Sequence, residues 1–184
     1  MDWTSTLSHL ADTWPVWVVT GLVLYGTWID ATQLRVPNKL TYPMILAGLL
    51  YNATLGDGWA FGLLGLCCGL ATLLPLYAVG GMGSGDVKLM GGIGAWLGWQ
   101  VTWQAFVVTA VVGAVMAVFM AWRGGQFRRH VDQAYAILME WKSGAGPRQL
   151  SAIAAERKPN MMLLPYGVPI CIGSLGYFAW AGLY

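Results

Sequence analysis

Length, composition and charge indicate a protein of the lipid bilayer. Of its 184 residues, 57% are hydrophobic and only 10% are charged, whereas about a quarter of the residues in a soluble domain are charged. The formal charge of +2 is too small to indicate nucleic-acid binding. The three cysteines lie in apolar runs without a C-x-x-C pair, which argues against a disulfide framework and against a zinc site.

Apolar stretches of roughly membrane-spanning length follow one another along the chain. They cover about residues 14–30, 40–55, 59–80, 87–103, 104–122 and 161–183. The second is short and the fourth is rich in glycine, so either could lie partly in the interface or be shielded by its neighbours, and five spans also fit. We expect an all-α fold, a polytopic membrane bundle of about six transmembrane helices, as a single domain over residues 1–184.

Small residues at four-residue spacing predict close contacts between these helices. The pairs are Gly58/Gly62, Gly65/Gly69 and Gly94/Gly98.

The basic residues predict the orientation of the bundle. With the N-terminus outside and six spans, all ten lysines and arginines fall on the cytoplasmic side, as the positive-inside rule requires. Both termini are then external. The first run has no basic segment ahead of it, so it is expected to remain as a span and not to be a cleaved signal peptide.

The largest cytoplasmic loop in this topology covers about residues 123–160. Its segment 130–141 carries apolar residues at helical spacing, which predicts an amphipathic helix on the inner leaflet. Such a helix could guide a substrate or simply rest on the membrane.

Two acids lie at the cytoplasmic edge of the predicted bundle. Asp30 ends the first span and Asp86 begins the fourth, so the topology brings distant parts of the sequence together. An acid at this depth usually has a partner or a water-filled cleft. One interpretation pairs Asp30 with Arg35 and Asp86 with Lys88 as solvated charges at helix ends.

The residues around Asp86 favour a catalytic interpretation. Gly83 and Gly85 flank Ser84, so a second backbone could approach the carboxylate without meeting a Cβ atom, which suits a polypeptide substrate. Two nearby carboxyl groups can share one proton, so that one activates water while the other protonates the carbonyl oxygen or the leaving amine. The predicted chemistry is aspartyl peptide hydrolysis. Phosphate binding at this helix start is disfavoured, because Asp86 would repel an anion.

These motifs together resemble those of a known family. The segment GSGD at 83–86 resembles the GxGD signature of intramembrane-type aspartyl peptidases, in particular the type IV prepilin peptidases. Asp30, followed by PNKLT at 37–41, matches the first catalytic motif of that family in residue type and spacing. The similarity continues through GAWLG at 94–98 and PYGVP at 165–169.

The resemblance implies a bundle around a cytoplasm-facing cleft in the bacterial inner membrane, with Asp30 and Asp86 as catalytic residues. Gly83, Gly85 and Lys88 would lie where the substrate approaches, and Lys88 could tune the acid pair or extend to the interface. The implied reaction removes a short basic leader from prepilins or pseudopilins, with pilus assembly proteins as further partners and with no cofactor or metal.

Large bacterial members of that family carry an additional cysteine-bearing segment and N-methylate the new amino terminus. Here only 13 residues precede the predicted first span and the cysteines are unpaired, so methyltransferase activity is not expected. The compact form resembles the small peptidases of tight-adherence (Flp-type) pilus systems, and archaeal preflagellin peptidases are also similar.

Two other functions would need different sequence features. A proton-relaying transporter or channel subunit needs acids distributed through the bilayer, whereas Asp30 and Asp86 share one edge. A non-catalytic scaffold needs no approachable acid. His9 and His130 have no second ligand at metal spacing, so both are interpreted as surface residues.

Overall fold

The computed structural model describes residues 3–33, 35–78, 81–123 and 166–184. Secondary structure in this part of the chain is helical, which confirms the all-α prediction. The helices are α1 (Trp3–Gln33), α2 (Asn38–Thr54), α3 (Trp59–Ala78), α4 (Ser84–Arg123) and α5 (Gly167–Trp180). The predicted amphipathic segment 130–141 lies outside the described residues.

Helix α4 combines the predicted fourth and fifth stretches and is broken at Gly98. A straight helix of its 40 residues would be about 60 Å long, twice the roughly 30 Å of a hydrocarbon core. Gly98 has a φ of 77° and a ψ of 175°, a conformation that favours glycine. The boundary therefore lies at Gly98 and not at 103–104, because backbone geometry sets it and hydropathy does not. We call residues 84–97 the first arm of α4 and residues 99–123 its second arm.

Helix α1 starts well before the predicted span, at Trp3 instead of residue 14. Pro15 lies inside it. Proline is tolerated in a membrane helix where neighbouring groups satisfy the carbonyl that it leaves free.

The first arm of α4 packs between α2 and α3. It runs parallel to α2, since Met44 lies beside Gly92 and Gly48 lies beside Trp96. It runs antiparallel to α3, since Gly65 faces Gly94 and the residues that follow in α3 approach earlier residues of the arm. Most residues of this arm are buried, including Asp86 and the glycines, whereas Ser84 is exposed and Lys88 is half-buried.

Helix α5 closes the bundle against α1. Gly167 lies beside Asp30 at one end, and the Tyr184 hydroxyl lies 3.2 Å from Thr20 Oγ1 at the other, so the two helices are antiparallel. The second arm of α4 is also antiparallel to α5, since Thr109 lies beside Gly173 and Gly113 beside Pro169. Helix α1 is antiparallel to the first arm, since Gly26 lies beside Leu89 and Trp14 beside Trp96. Consecutive helical segments thus alternate in direction.

Large apolar side chains face outward as well as inward. Trp28, Leu46 and Val115 are 71%, 61% and 64% exposed, which is typical of a surface that meets lipid. Helix α3 and α4 as far as Met120 are long and apolar enough to cross a bilayer on their own. The structure therefore supports a helical membrane protein.

Candidate active site

Asp30 lies in the last turn of α1 and is only 3% exposed. Its Oδ2 atom accepts a hydrogen bond of 2.9 Å from the backbone N–H of Gly167, the first residue of α5. That N–H is one of the donors that a helix leaves without an intrahelical partner at its start. The acid is thereby held by a helix far away in the sequence.

Asp86 lies in the first turn of α4 and is 5% exposed. Its Oδ2 atom accepts a 3.2 Å hydrogen bond from the backbone N–H of Gly83, just before the helix. Within the described part of the chain, its Oδ1 atom is buried and has no hydrogen-bond partner. A buried carboxylate oxygen without a donor is costly to maintain, so this atom is available to exchange protons in a reaction.

The structure brings the two predicted acids together. Gly26, one turn before Asp30 in α1, lies beside Leu89, about one turn after Asp86 in α4, and the two carboxyl groups are near enough to interact electrostatically. Tyr166, next to the start of α5, is also within electrostatic reach of Asp86. The site therefore forms where the end of α1 meets the starts of α4 and α5.

The two glycines of the GSGD segment have different surroundings. A Cβ atom on Gly83 would lie 3.2 Å from Asp86 Oδ2, whereas one on Gly85 would lie 2.5 Å from the Val36 carbonyl oxygen. Val36 belongs to the linker between α1 and α2. The backbone that lies close to Gly85 is therefore that of Val36, in the protein itself.

Lys88 joins α4 to the start of α2. Its Nζ atom donates hydrogen bonds to Asn38 Oδ1 at 2.8 Å and to the Tyr42 hydroxyl at 3.1 Å. Nζ also lies 4.6 Å from the centroid of the Tyr42 ring. Asn38 belongs to the PNKLT segment, so that segment contacts α4 two residues after GSGD.

Two further residues at the site were not singled out by the sequence. Gly167 supplies the donor to Asp30, and Thr27 Oγ1 donates a 3.0 Å hydrogen bond to the Gly167 carbonyl oxygen. The PYGVP segment was noted as a motif, which marked the region without assigning a role. Nothing in the sequence indicates that Thr27 contacts it.

Among the described residues, no three His, Cys, Asp or Glu side chains cluster as metal ligands would. The side chains of His9 and His130 lie outside the described part. All three cysteines are free thiols: Cys67 exposed, Cys68 partly exposed and Cys171 buried. The site thus offers two carboxyl groups and backbone donors, a set suited to proton transfer.

Two buried carboxyl groups in a membrane helical bundle form a site that can carry out acid–base chemistry. The model of the type IV leader peptidase family matches residues 17–118. The chain belongs to the type IV leader peptidase family.

Curated relatives agree with this assignment. The chain is 35% identical over 114 residues to a prepilin leader peptidase/N-methyltransferase of Aeromonas hydrophila, covering 55% of this chain and 37% of that protein. It is 38% identical over 104 residues to the protein of that name from Burkholderia pseudomallei, covering 52% and 34%. For the one from Pseudomonas aeruginosa, identity is 33% over 127 residues, covering 61% and 42%.

The chain thus matches well under half the length of these relatives, from 34% to 42%. No solved structure matches the chain.

Proposed function

We propose that the chain is an aspartyl endopeptidase that removes the short basic leader of type IV or Flp-like prepilins or pseudopilins. The observation that carries the proposal is that Asp30 and Asp86, both almost fully buried, lie where the end of α1 meets the starts of α4 and α5. These acids are held by backbone donors in a chain of the type IV leader peptidase family.

The reaction needs one proton shared by the pair. The ionised carboxyl group takes a proton from water, whose oxygen attacks the scissile carbonyl carbon while the protonated group donates to the carbonyl oxygen. The tetrahedral intermediate collapses when its C–N bond breaks and the newly protonated carboxyl group gives its proton to the departing amine. The other carboxyl group takes back a proton from a hydroxyl of the intermediate, which leaves the carboxylic acid product and returns the pair to its starting state. Asp86 Oδ1, which has no donor among the described residues, is the oxygen best placed to exchange a proton.

The same proposal places the bundle in the bacterial inner membrane with six spans. Alternating helix directions and the break at Gly98 support this count, and the one-sided basic residues support external termini and a cleft facing the cytoplasm.

The substrate approaches from the side of Gly83 in this proposal. Val36 covers Gly85, whereas Gly83 is partly exposed beside the Asp86 carboxylate. Lys88 contributes by holding α2 against α4, and pilus assembly proteins are the further partners that this activity implies.

A proton relay fits the structure less well. Of the described residues, the buried acids are Asp30 and Asp86, and both lie at one end of the bundle. Asp57, at the opposite end, is exposed.

The test is cleavage of a purified prepilin by the enzyme in detergent. Asp30→Asn and Asp86→Asn should each lower the rate by about 1000-fold or more, and the double variant should be no slower, because the two groups act as one unit. Asp57→Asn, the matched control at an exposed acid, should cleave like the wild type. Substantial activity in either single variant of the pair would overturn the dyad.

A further inference from the structure

Helix α1 contacts Gly167 through two side chains. Asp30 accepts a hydrogen bond from the Gly167 N–H, and Thr27 donates one to the Gly167 carbonyl oxygen. Thr27 and Asp30 are three residues apart in a helix, so they lie on one face and one turn from each other. A single residue of α5 is therefore held on both its donor and its acceptor side.

Little space separates Asp30 from Gly167. A Cβ atom on Gly167 would lie 2.9 Å from Asp30 Oδ2 and 3.0 Å from Asp30 Cβ. At this distance, a small rotation or shift of Gly167 either breaks the hydrogen bond to Asp30 or forces the carboxyl group to turn.

We propose that Thr27 is a positioning residue for the peptidase reaction, holding Gly167 so that its N–H fixes the orientation of the Asp30 carboxyl group. This inference rests on the proposed function. Thr27 itself touches neither the substrate nor Asp86 in this scheme, and it acts through Gly167.

Without the Thr27 hydroxyl, the hydrogen bond to Asp30 is the one that remains between Gly167 and α1 among those of the described residues. The carboxyl group and the start of α5 then shift together, so Asp30 no longer keeps a constant geometry towards Asp86. Misplacement of a reacting group by about 1 Å can cost about 100-fold in rate. Substrate binding depends on other surfaces and should change little.

The chain offers a matched control on α1. Thr20 Oγ1 lies 3.2 Å from the Tyr184 hydroxyl, so Thr20 links α1 to the segment that follows α5. It is two helical turns from Thr27, roughly 10 Å along the axis, and is farther from the acids. If Thr27→Val slowed cleavage only by loosening the packing of the C-terminal region on α1, Thr20→Val should slow it equally.

The experiment compares Thr27→Val, Thr27→Ser and Thr20→Val in prepilin cleavage, measuring kcat, KM and the melting temperature in detergent. Thr27→Val should lower kcat by about 10- to 100-fold with KM within about twofold of the wild type. Thr27→Ser, which keeps the hydroxyl, should restore most of the rate, and Thr20→Val should leave kcat nearly unchanged.

The inference is overturned if Thr27→Val cleaves like the wild type, if Thr27→Ser is as slow as Thr27→Val, or if Thr20→Val lowers kcat equally. If Thr27→Val does not fold, Thr27→Ala takes its place, and an alanine variant as fast as the serine variant also overturns it. A folded wild-type enzyme that leaves prepilins uncut contradicts the proposed function itself, whatever the Thr27 variants do.

Discussion

At the residue scale, the two acids are held by backbone N–H groups. Asp30 is held from α5 by Gly167, and Asp86 by Gly83 just ahead of its own helix. Backbone donors do not titrate, so they hold the carboxyl groups while protons move. An ionised acid is costly in a membrane and usually functional there, and these donors offset part of that cost.

Gly167→Ala tests the contact between α5 and Asp30. The added Cβ atom would lie 2.9 Å from Asp30 Oδ2, so we expect the carboxyl group to be displaced and cleavage to fall by about 100-fold. Gly176→Ala, on the same helix, is the control because a Cβ atom there meets no other atom within 4 Å. Equal cleavage rates for the two variants would show that this contact does not orient Asp30.

The shared proton predicts the pH dependence of the rate. Hydrolysis should follow a bell-shaped profile whose two apparent pKa values belong to the Asp30–Asp86 pair and not to either residue alone. The profile is measured where chemistry limits the rate. A flat profile through the acid range would contradict the shared-proton mechanism, and a shift of the limbs in Lys88→Met would show that Lys88 influences the pair.

Chelators and thiol reagents test whether other groups take part. Activity should survive EDTA and alkylation, because the proposed reaction uses two carboxyl groups and neither a cation nor Cys171. Loss of activity with EDTA, restored by an added divalent ion, would replace the carboxylate mechanism with a metal-dependent one.

At the element scale, glycines allow the first arm of α4 to sit deep between its neighbours. Gly65 of α3 faces Gly94 of α4 backbone to backbone, and Gly69 faces Met90, so two of the predicted glycine pairs contribute to one interface. Gly58 instead has a φ of 99° and lies in the turn before α3. Close packing of α3 on this arm supports the start of α4, where Asp86 lies.

Gly65→Ala should weaken this interface. A Cβ atom at Gly65 would collide with the carbonyl group of Gly94, and overpacking of this kind costs about 1–3 kcal/mol. We expect a lower melting temperature in detergent, measured by circular dichroism. Gly21→Ala on α1 is the control, because its Cβ atom would meet no other atom within 4 Å. A similar fall in melting temperature for both variants would mean that the α3–α4 contact is not its cause.

At the scale of the whole molecule, the contacts separate the acids from the C-terminus. Tyr184 packs near Trp17, in the middle of α1, with ring centroids 4.7 Å apart, whereas Asp30 lies in the last turn of that helix. With an even number of alternating segments, the start of the first segment and the end of the last lie on the same side of the membrane. The break at Gly98 is needed for that number to be even.

The topology predicts where reporters will be found. Reporters placed before Met1 and after Tyr184 should both be external, and one inserted near Gly146 should be cytoplasmic. Fusions are scored by alkaline phosphatase and green fluorescent protein activity, which report opposite sides of the membrane. A cytoplasmic C-terminus would mean an odd number of spans and would require a new geometry for the site.

The sequence by itself determined the membrane class, the helical secondary structure, the approximate bounds of α2 and α3 and the two candidate acids. These follow from hydropathy and from short motifs, which are local properties of the chain. It also marked PYGVP at 165–169 as a motif, though without a partner.

Tertiary structure alone decided where α4 breaks, what covers Gly85 and which groups hold Asp30. The break depends on the φ angle of Gly98, where the added Cβ atom of any other residue would also collide with the Phe61 ring. The contacts of Val36 with Gly85 and of Thr27 with Gly167 join residues far apart in the chain. Hydropathy and spacing describe neighbours along the sequence, whereas such contacts exist only once the helices have packed.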